Sequence, residues 1–133
     1  MRSALSAVLF LHGLVHVVGF IGPLELVPEA PFRTVVFGKP IANRSPAARS
    51  LAVLWLLLAF GFSVASVALF THASWWFPFT TLVIVASMVM CSTAWPATQA
   101  GLILDAVLLV VCVFVARAQL WVDFLAMFRA LSV

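Results

Sequence analysis

The chain has 133 residues, 65% hydrophobic and 8% charged, with a net charge of +3 and a mean hydropathy of +1.24. No soluble domain of this length hides so much apolar surface, so the composition specifies an integral membrane protein. Seven basic residues spread over loops and ends make no nucleic-acid footprint, and the spans leave no room within these residues for a nucleotide-binding or catalytic head domain.

Crossing a bilayer takes about 20 apolar helical residues. The first such run covers residues 4–21. Met1–Gly22 also has the outline of a signal peptide, an arginine followed by an apolar stretch. Two histidines and three glycines fit a cleavable core poorly, and no small-x-small site precedes the prolines, so it is read as a retained first span. Residues 22–45 form the long loop, with Pro23, Pro28, Pro31 and Pro40, the acids Glu25 and Glu29, and a short apolar stretch at Thr34–Phe37. Ser45-Pro46 reads as a helix cap followed by first-turn proline, opening the second span over 46–70. A short polar connector, Thr71–Ser74, predicts a tight antiparallel pair with the third span, 75–95. Pro78 falls in that helix's first turn, where proline is tolerated. Pro96 breaks the chain before the fourth span, 98–116. The tail, 117–133, is weakly amphipathic and either extends that span or lies along the membrane surface. The expected fold is thus an all-α integral membrane bundle of four antiparallel helices with a C-terminal amphipathic extension, one domain over 1–133.

Both termini then share one side, A, and the long loop faces the other, B. Arg2, Arg117 and Arg129 balance Arg33, Lys39, Arg44 and Arg49, so the positive-inside count fixes no orientation. Trp75, Trp76 and Trp121 fall near side A and Trp95 near side B, as membrane anchors do.

From Ser50 to Ala116 the only formal charge is Asp105. An ionisable group in a span costs a few kcal/mol (~2.5 or more), so it faces the protein interior and has a partner. At about 1.5 Å per residue, Asp105 lies about 10 Å from side B, His16 and Trp55 about 9 Å, Ser87 about 12 Å and Cys91 about 6 Å, with His12 one turn deeper than His16. His12, His16 and Gly19 share a face of the first span, and Thr80, Ser87 and Cys91 share one on the third. Ala52, Trp55, Ala59, Ser63 and Ser66 line the second; Thr98, Gly101, Asp105 and Cys112 line the fourth. Such small and polar stripes are what membrane helices pack with. The candidate site, or interior polar layer, is therefore His12, His16, Trp55, Ser87 and Asp105. Cys112 lies roughly 15 Å above Cys91, too far for a disulfide.

His12-Gly-Leu-Val-His16 lacks the glutamate of the zincin pattern. With Asp105 it matches a non-haem iron site in ligand count only, and two histidines on one helical turn cannot clamp a haem between them. No metal and no cofactor is expected. No nucleophile-elbow, phosphate-loop or dinucleotide motif is present. Two roles stand: one histidine pins span one to span four through Asp105, or the paired ionisable groups form a proton-active or ligand-binding site.

The opening Phe10–Phe20, with its His-Gly-x-x-His-x-x-Gly-Phe pattern, resembles a family of small bacterial four-span membrane proteins. Lys39-Pro-Ile with Pro46 and Leu54-Trp-Leu resembles that family's loop and second-span entry. Val85-Ala-Ser87 resembles its third span, and Trp95, Gly101 and Asp105 its last junction, where the family more often has asparagine. An amide there implies that a hydrogen bond is needed and a charge is not. The family carries no established activity; in some relatives a similar bundle precedes a larger domain, which suits an anchoring or accessory role. More distantly, the opening is similar to DoxX-like proteins, some of which are small subunits of quinone-linked membrane oxidoreductases. The first expectation is a non-enzymatic subunit of a bacterial inner membrane, contacting lipid and a partner protein or a second copy of itself. The second is a quinone-, lipid- or metal-binding accessory subunit.

Overall fold

Lipid offers the backbone no hydrogen-bond partners, so each apolar run must close its own bonds as a helix. The computed structural model, which describes residues 2–27 and 34–131 and, within these, not the side chains of 123, 126 and 128–131, has four of them. They are α1 (Arg2–Leu24), α2 (Pro46–Phe70), α3 (Trp76–Thr93) and α4 (Gln99–Leu131). All four are long and apolar enough to cross a membrane. The chain is an all-α, four-helix, multi-pass membrane protein.

The helix ends follow local chemistry. Ser45 caps α2 by accepting the Ala48 amide at 3.2 Å, with Pro46 in the first turn. Thr71, at the other end, returns its hydroxyl to Val67 O at 2.9 Å. The tail question resolves toward extension: α4 is one 33-residue helix, about 50 Å long and well beyond a hydrocarbon core of about 30 Å. Beyond Arg117 its Leu120, Trp121 and Val122 are exposed.

The long loop contains something unexpected. Val35–Val36 and Lys39–Pro40 pair antiparallel, Val35 opposite Pro40 and Val36 opposite Lys39. The two-residue turn uses Phe37 at φ 49° and Gly38 at φ 74°, the left-handed pair that a tight hairpin needs. The Phe37 amide donates to Thr93 O at 2.7 Å, clipping the hairpin to the end of α3. Asn43 bridges Thr34 and Glu25, and Arg44 pairs with Glu25 at 3.1 Å. Glu25 therefore acts as a latch in the loop. Glu29 lies outside the described residues.

Buried Leu9, Phe62, Leu69, Ile84, Leu108 and Cys112 form the core on the side A half. Trp76 belongs to it, at 5% exposure. This corrects the reading of Trp75-Trp76 as paired anchors: only Trp75, half-exposed, is free to meet lipid. Successive residues on a helix point about 100° apart, so two neighbours need not meet the same surroundings. Cys91 and Cys112 are both free thiols and both buried.

The α1–α2 seam is tightly packed. A Cβ on Gly13 would meet Phe62 Cβ at 2.8 Å and Ala59 O at 3.0 Å, so only glycine permits that approach. Ser6 donates to Ser66 O and Ser66 donates to Ser6 O, both at 2.8 Å.

Candidate functional site

Four of the five candidate residues meet in one buried network. Asp105 is fully buried, Ser87 likewise, and His12 and His16 are 3% and 4% exposed. His12 Nε2 lies 2.8 Å from Asp105 Oδ1. Ser87 Oγ lies 2.6 Å from Asp105 Oδ2 and 2.7 Å from His16 Nε2. His16 Nδ1 donates to the carbonyl of His12, one turn back on its own helix, at 3.0 Å. The network thus ties α1, α3 and α4 together around one carboxyl group.

Residue counting from the helix ends put His16 level with Asp105 and His12 a turn deeper. The direct bond to Asp105 goes to His12, and His16 reaches it only through Ser87. Equal depth follows from residue counts only where both helices end in one plane. His12 is twelve residues from Leu24 and Asp105 six from Gln99, about 18 Å and about 9 Å of helix. Their contact means that α1 projects past the start of α4 on side B.

Trp55 does not join the network through its indole N–H. Its ring lies against His16, with centroids 5.4 Å apart, and a Cβ on Gly19 would fall 2.5 Å from that ring. Phe62 packs on both imidazoles, at 4.8 Å from His12 and 5.1 Å from His16. Cys91, read on the same stripe as Ser87, sets its Sγ 3.9 Å from Asp105 Oδ2. Gly101 admits that thiol, since a Cβ there would lie 3.2 Å from it.

The projecting end of α1, the clipped hairpin, the start of α2 and the α3–α4 connection line an open-sided cavity of about 460 Å³ on side B. His12, His16, Trp55, Cys91 and Gly101 form its inner end, and Val35 and Val36 of the hairpin its outer wall. Asp105 and Ser87 stand behind the histidines and do not line it. The lining is mainly apolar, as expected of a pocket for a drug-sized molecule. Beside it, one polar atom is unspent: His12 Nδ1 is closed off from solvent and has no hydrogen-bond partner among the described residues.

No family model, curated protein or solved structure matches the chain.

Sequence reasoning did not reach three parts of this arrangement. Ser6 continues the His16 stripe backward through Gly13 and Leu9, and extending that stripe would have found it. The hairpin's signal was the Phe37-Gly38 pair within an otherwise β-branched and polar stretch. The role of Ser87 as a bridge, rather than a neighbour, had no signal in residue spacing. Among the described residues, no three His, Cys, Asp or Glu side chains are grouped to hold a metal.

Proposed function

We propose that this chain is a small binding subunit of a bacterial inner membrane, taking an apolar molecule with a hydroxyl head into the side B cavity. Asp105 and Ser87 supply the frame: they hold His12 and His16 in place and pin α1 to α3 and α4. The observation that carries the reading is His12 Nδ1. It belongs to a residue that lines the cavity and is unpaired, but it is itself closed off from solvent, so a donor reaches it only once the His12 ring or a neighbour turns. An unpaired buried polar atom costs about 1–3 kcal/mol, and a bound donor removes that cost. With its N–H on Nε2 facing the carboxyl group, a neutral His12 offers Nδ1 as an acceptor, so the complement is an O–H. Trp55 and His16 supply flat faces for a ring, and the mainly apolar lining accepts a chain or ring body.

A quinol and a hydroxyl-bearing lipid share this chemistry. The bacterial setting follows from the resemblance of the opening motif. A metal finds less support, because the nearest imidazole and carboxyl atoms are already spent on each other.

The test is a titration of detergent-purified protein with para-decylphenol, with its methyl ether, and with dioctanoylglycerol. Saturable binding of the phenol but not the ether supports a quinol-like ligand. Preference for the glycerolipid supports a lipid ligand. Ala94→Trp, which puts an indole into the cavity lining, weakens either. Equal binding of phenol and ether, or no binding of any probe, overturns the proposal.

A further inference from the structure

Hydrogens can be counted link by link in the buried network. It has four links: His12 Nε2 to Asp105 Oδ1, Asp105 Oδ2 to Ser87 Oγ, Ser87 Oγ to His16 Nε2, and His16 Nδ1 to the His12 carbonyl. Each, at 2.6–3.0 Å, needs one hydrogen between its heavy atoms; without it two lone pairs face each other. A neutral His12, a neutral His16 and the serine hydroxyl supply three. The carbonyl of His12 can only accept, so the hydrogen of a neutral His16 is on Nδ1. That leaves the Ser87 hydroxyl to serve both His16 Nε2 and Asp105 Oδ2, and it has one hydrogen. Other groups facing the carboxyl do not fill the gap. Cys91 Sγ, at 3.9 Å from Oδ2, lies outside the Ser87–His16 link, and α2 contributes only the rings of Trp55 and Phe62.

We infer that the cluster holds one further proton, passed between Asp105 and His16 through the Ser87 hydroxyl. Two arrangements satisfy every link. In the first, Asp105 Oδ2–H donates to Ser87 Oγ, and Ser87 Oγ–H donates to His16 Nε2. In the second, Asp105 is a carboxylate that accepts the Ser87 hydroxyl, and His16 donates from both ring nitrogens. Going from the first to the second, the carboxyl proton moves to Ser87 Oγ as the serine proton moves to His16 Nε2. Total charge is unchanged, and no heavy atom has to leave its place. Both ring nitrogens of His16 are spent inside the network, so the proton stays within the cluster, and the cavity that His16 lines meets its charge.

The two arrangements present different walls to that cavity. The second sets a carboxylate behind His12 and a cation on His16. His12 Nδ1 is then the stronger acceptor, and a partly ionised oxygen beside His16 is stabilised. This selects a weakly acidic hydroxyl, phenolic rather than aliphatic, among the ligands of the proposed function, on which this last step rests.

The proton itself is tested without ligand. Protein carrying nitrogen-15 histidine and carbon-13 aspartate is measured by NMR and infrared spectroscopy in detergent at neutral pH, with His16→Gln and Asp105→Asn assigning the signals. The expected result is a carboxylic-acid band from Asp105, a doubly protonated His16, or a mixture of the two amounting to one proton per chain. An ionised Asp105 beside a His16 bearing one N–H overturns the inference. In Asp105→Asn the amide supplies the fourth hydrogen, so His16 should carry one N–H, on Nδ1; two would also overturn it. Separately, para-decylphenol should bind about fivefold more weakly to Asp105→Asn than to wild type, the difference between a charge-assisted and a neutral hydrogen bond, while decanol should bind both alike. An unchanged phenol affinity overturns the selectivity step and leaves the proton count to its own measurement.

Discussion

Replacing Asp105 by asparagine and by alanine separates hydrogen bonding from charge at the centre of the bundle. In Asp105→Ala two bonds vanish, to His12 Nε2 and to Ser87 Oγ. Interhelical bonds in membranes average about 0.6 kcal/mol and reach about 1.7, because a chain unfolded in lipid also finds partners. Two of them give about 1–3 kcal/mol, and leaving a buried donor unmet pushes toward the upper end. Asp105→Asn should lose almost nothing. Its oxygen accepts from His12 Nε2, one amide hydrogen goes to Ser87, and the serine hydrogen then goes to His16. The amide's second hydrogen faces the thiol of Cys91, 3.9 Å from Oδ2 in the wild type, a weak acceptor. The assay is reversible unfolding in mixed micelles, followed by helical circular dichroism. An Asn variant as unstable as the Ala variant would refute the reasoning, since the amide would then fail to replace the carboxyl group in the network. So would an Ala variant within about 0.5 kcal/mol of wild type, because the bonds would then carry no net stability.

Gly13→Ala should destabilise the protein by about 1–3 kcal/mol in the same assay, because the new methyl meets Phe62 Cβ at 2.8 Å and the Ala59 backbone, which move only if the helices part. Gly19→Ala meets the Trp55 ring at 2.5 Å instead; that side chain can swing, so stability should fall less than for Gly13→Ala while phenol binding is lost, read by titration. Ser6→Ala and Ser66→Ala should each cost roughly 0.6–1.7 kcal/mol. Each removes one donor to the other's backbone carbonyl, and the two hydroxyls also lie 2.9 Å apart, so the double variant should depart from the sum, and strict additivity would show that the hydroxyls act independently. Glu25→Gln breaks an ion pair whose side chains are 47% and 66% exposed and should change unfolding by under about 1 kcal/mol.

The architecture was legible because hydrophobic length and helix punctuation are local. Ser45-Pro46 placed the start of α2 at the observed residue, and the apolar runs marked four spans. Membership of the polar layer was also legible, since few polar residues enter an apolar span and each needs a reason. Connectivity within the layer was not. His12 and His16 sit on one face four residues apart, and which of them meets Asp105 depends on how far α1 projects past α4. That offset is set by the clipped hairpin and the α1–α2 seam at Gly13, both tertiary. Trp76 shows the same limit: sequence marks a tryptophan pair near an interface, but only packing decides which one turns inward.

The carboxyl group at 105 is hard to explain as a pin alone. An amide fills all four links with neutral groups and needs no additional proton. An acid fills the same links only by holding a proton it can also release. If helix pinning were the whole role, the second histidine would be superfluous too, because His12 and Ser87 already satisfy both oxygens of Asp105. His16 adds no contact to the carboxyl group; it extends the chain of hydrogen bonds from Ser87 to the cavity wall. Aspartate at 105 and histidine at 16 are thus the two residues whose chemistry exceeds what packing needs, and they are the two ends of the proposed relay. Asp105→Asn and His16→Gln should therefore leave folding near wild type while changing how the cavity discriminates a phenol from an alcohol. If both variants discriminate as wild type does, the additional proton has no bearing on the ligand and the cluster reduces to a helix clasp.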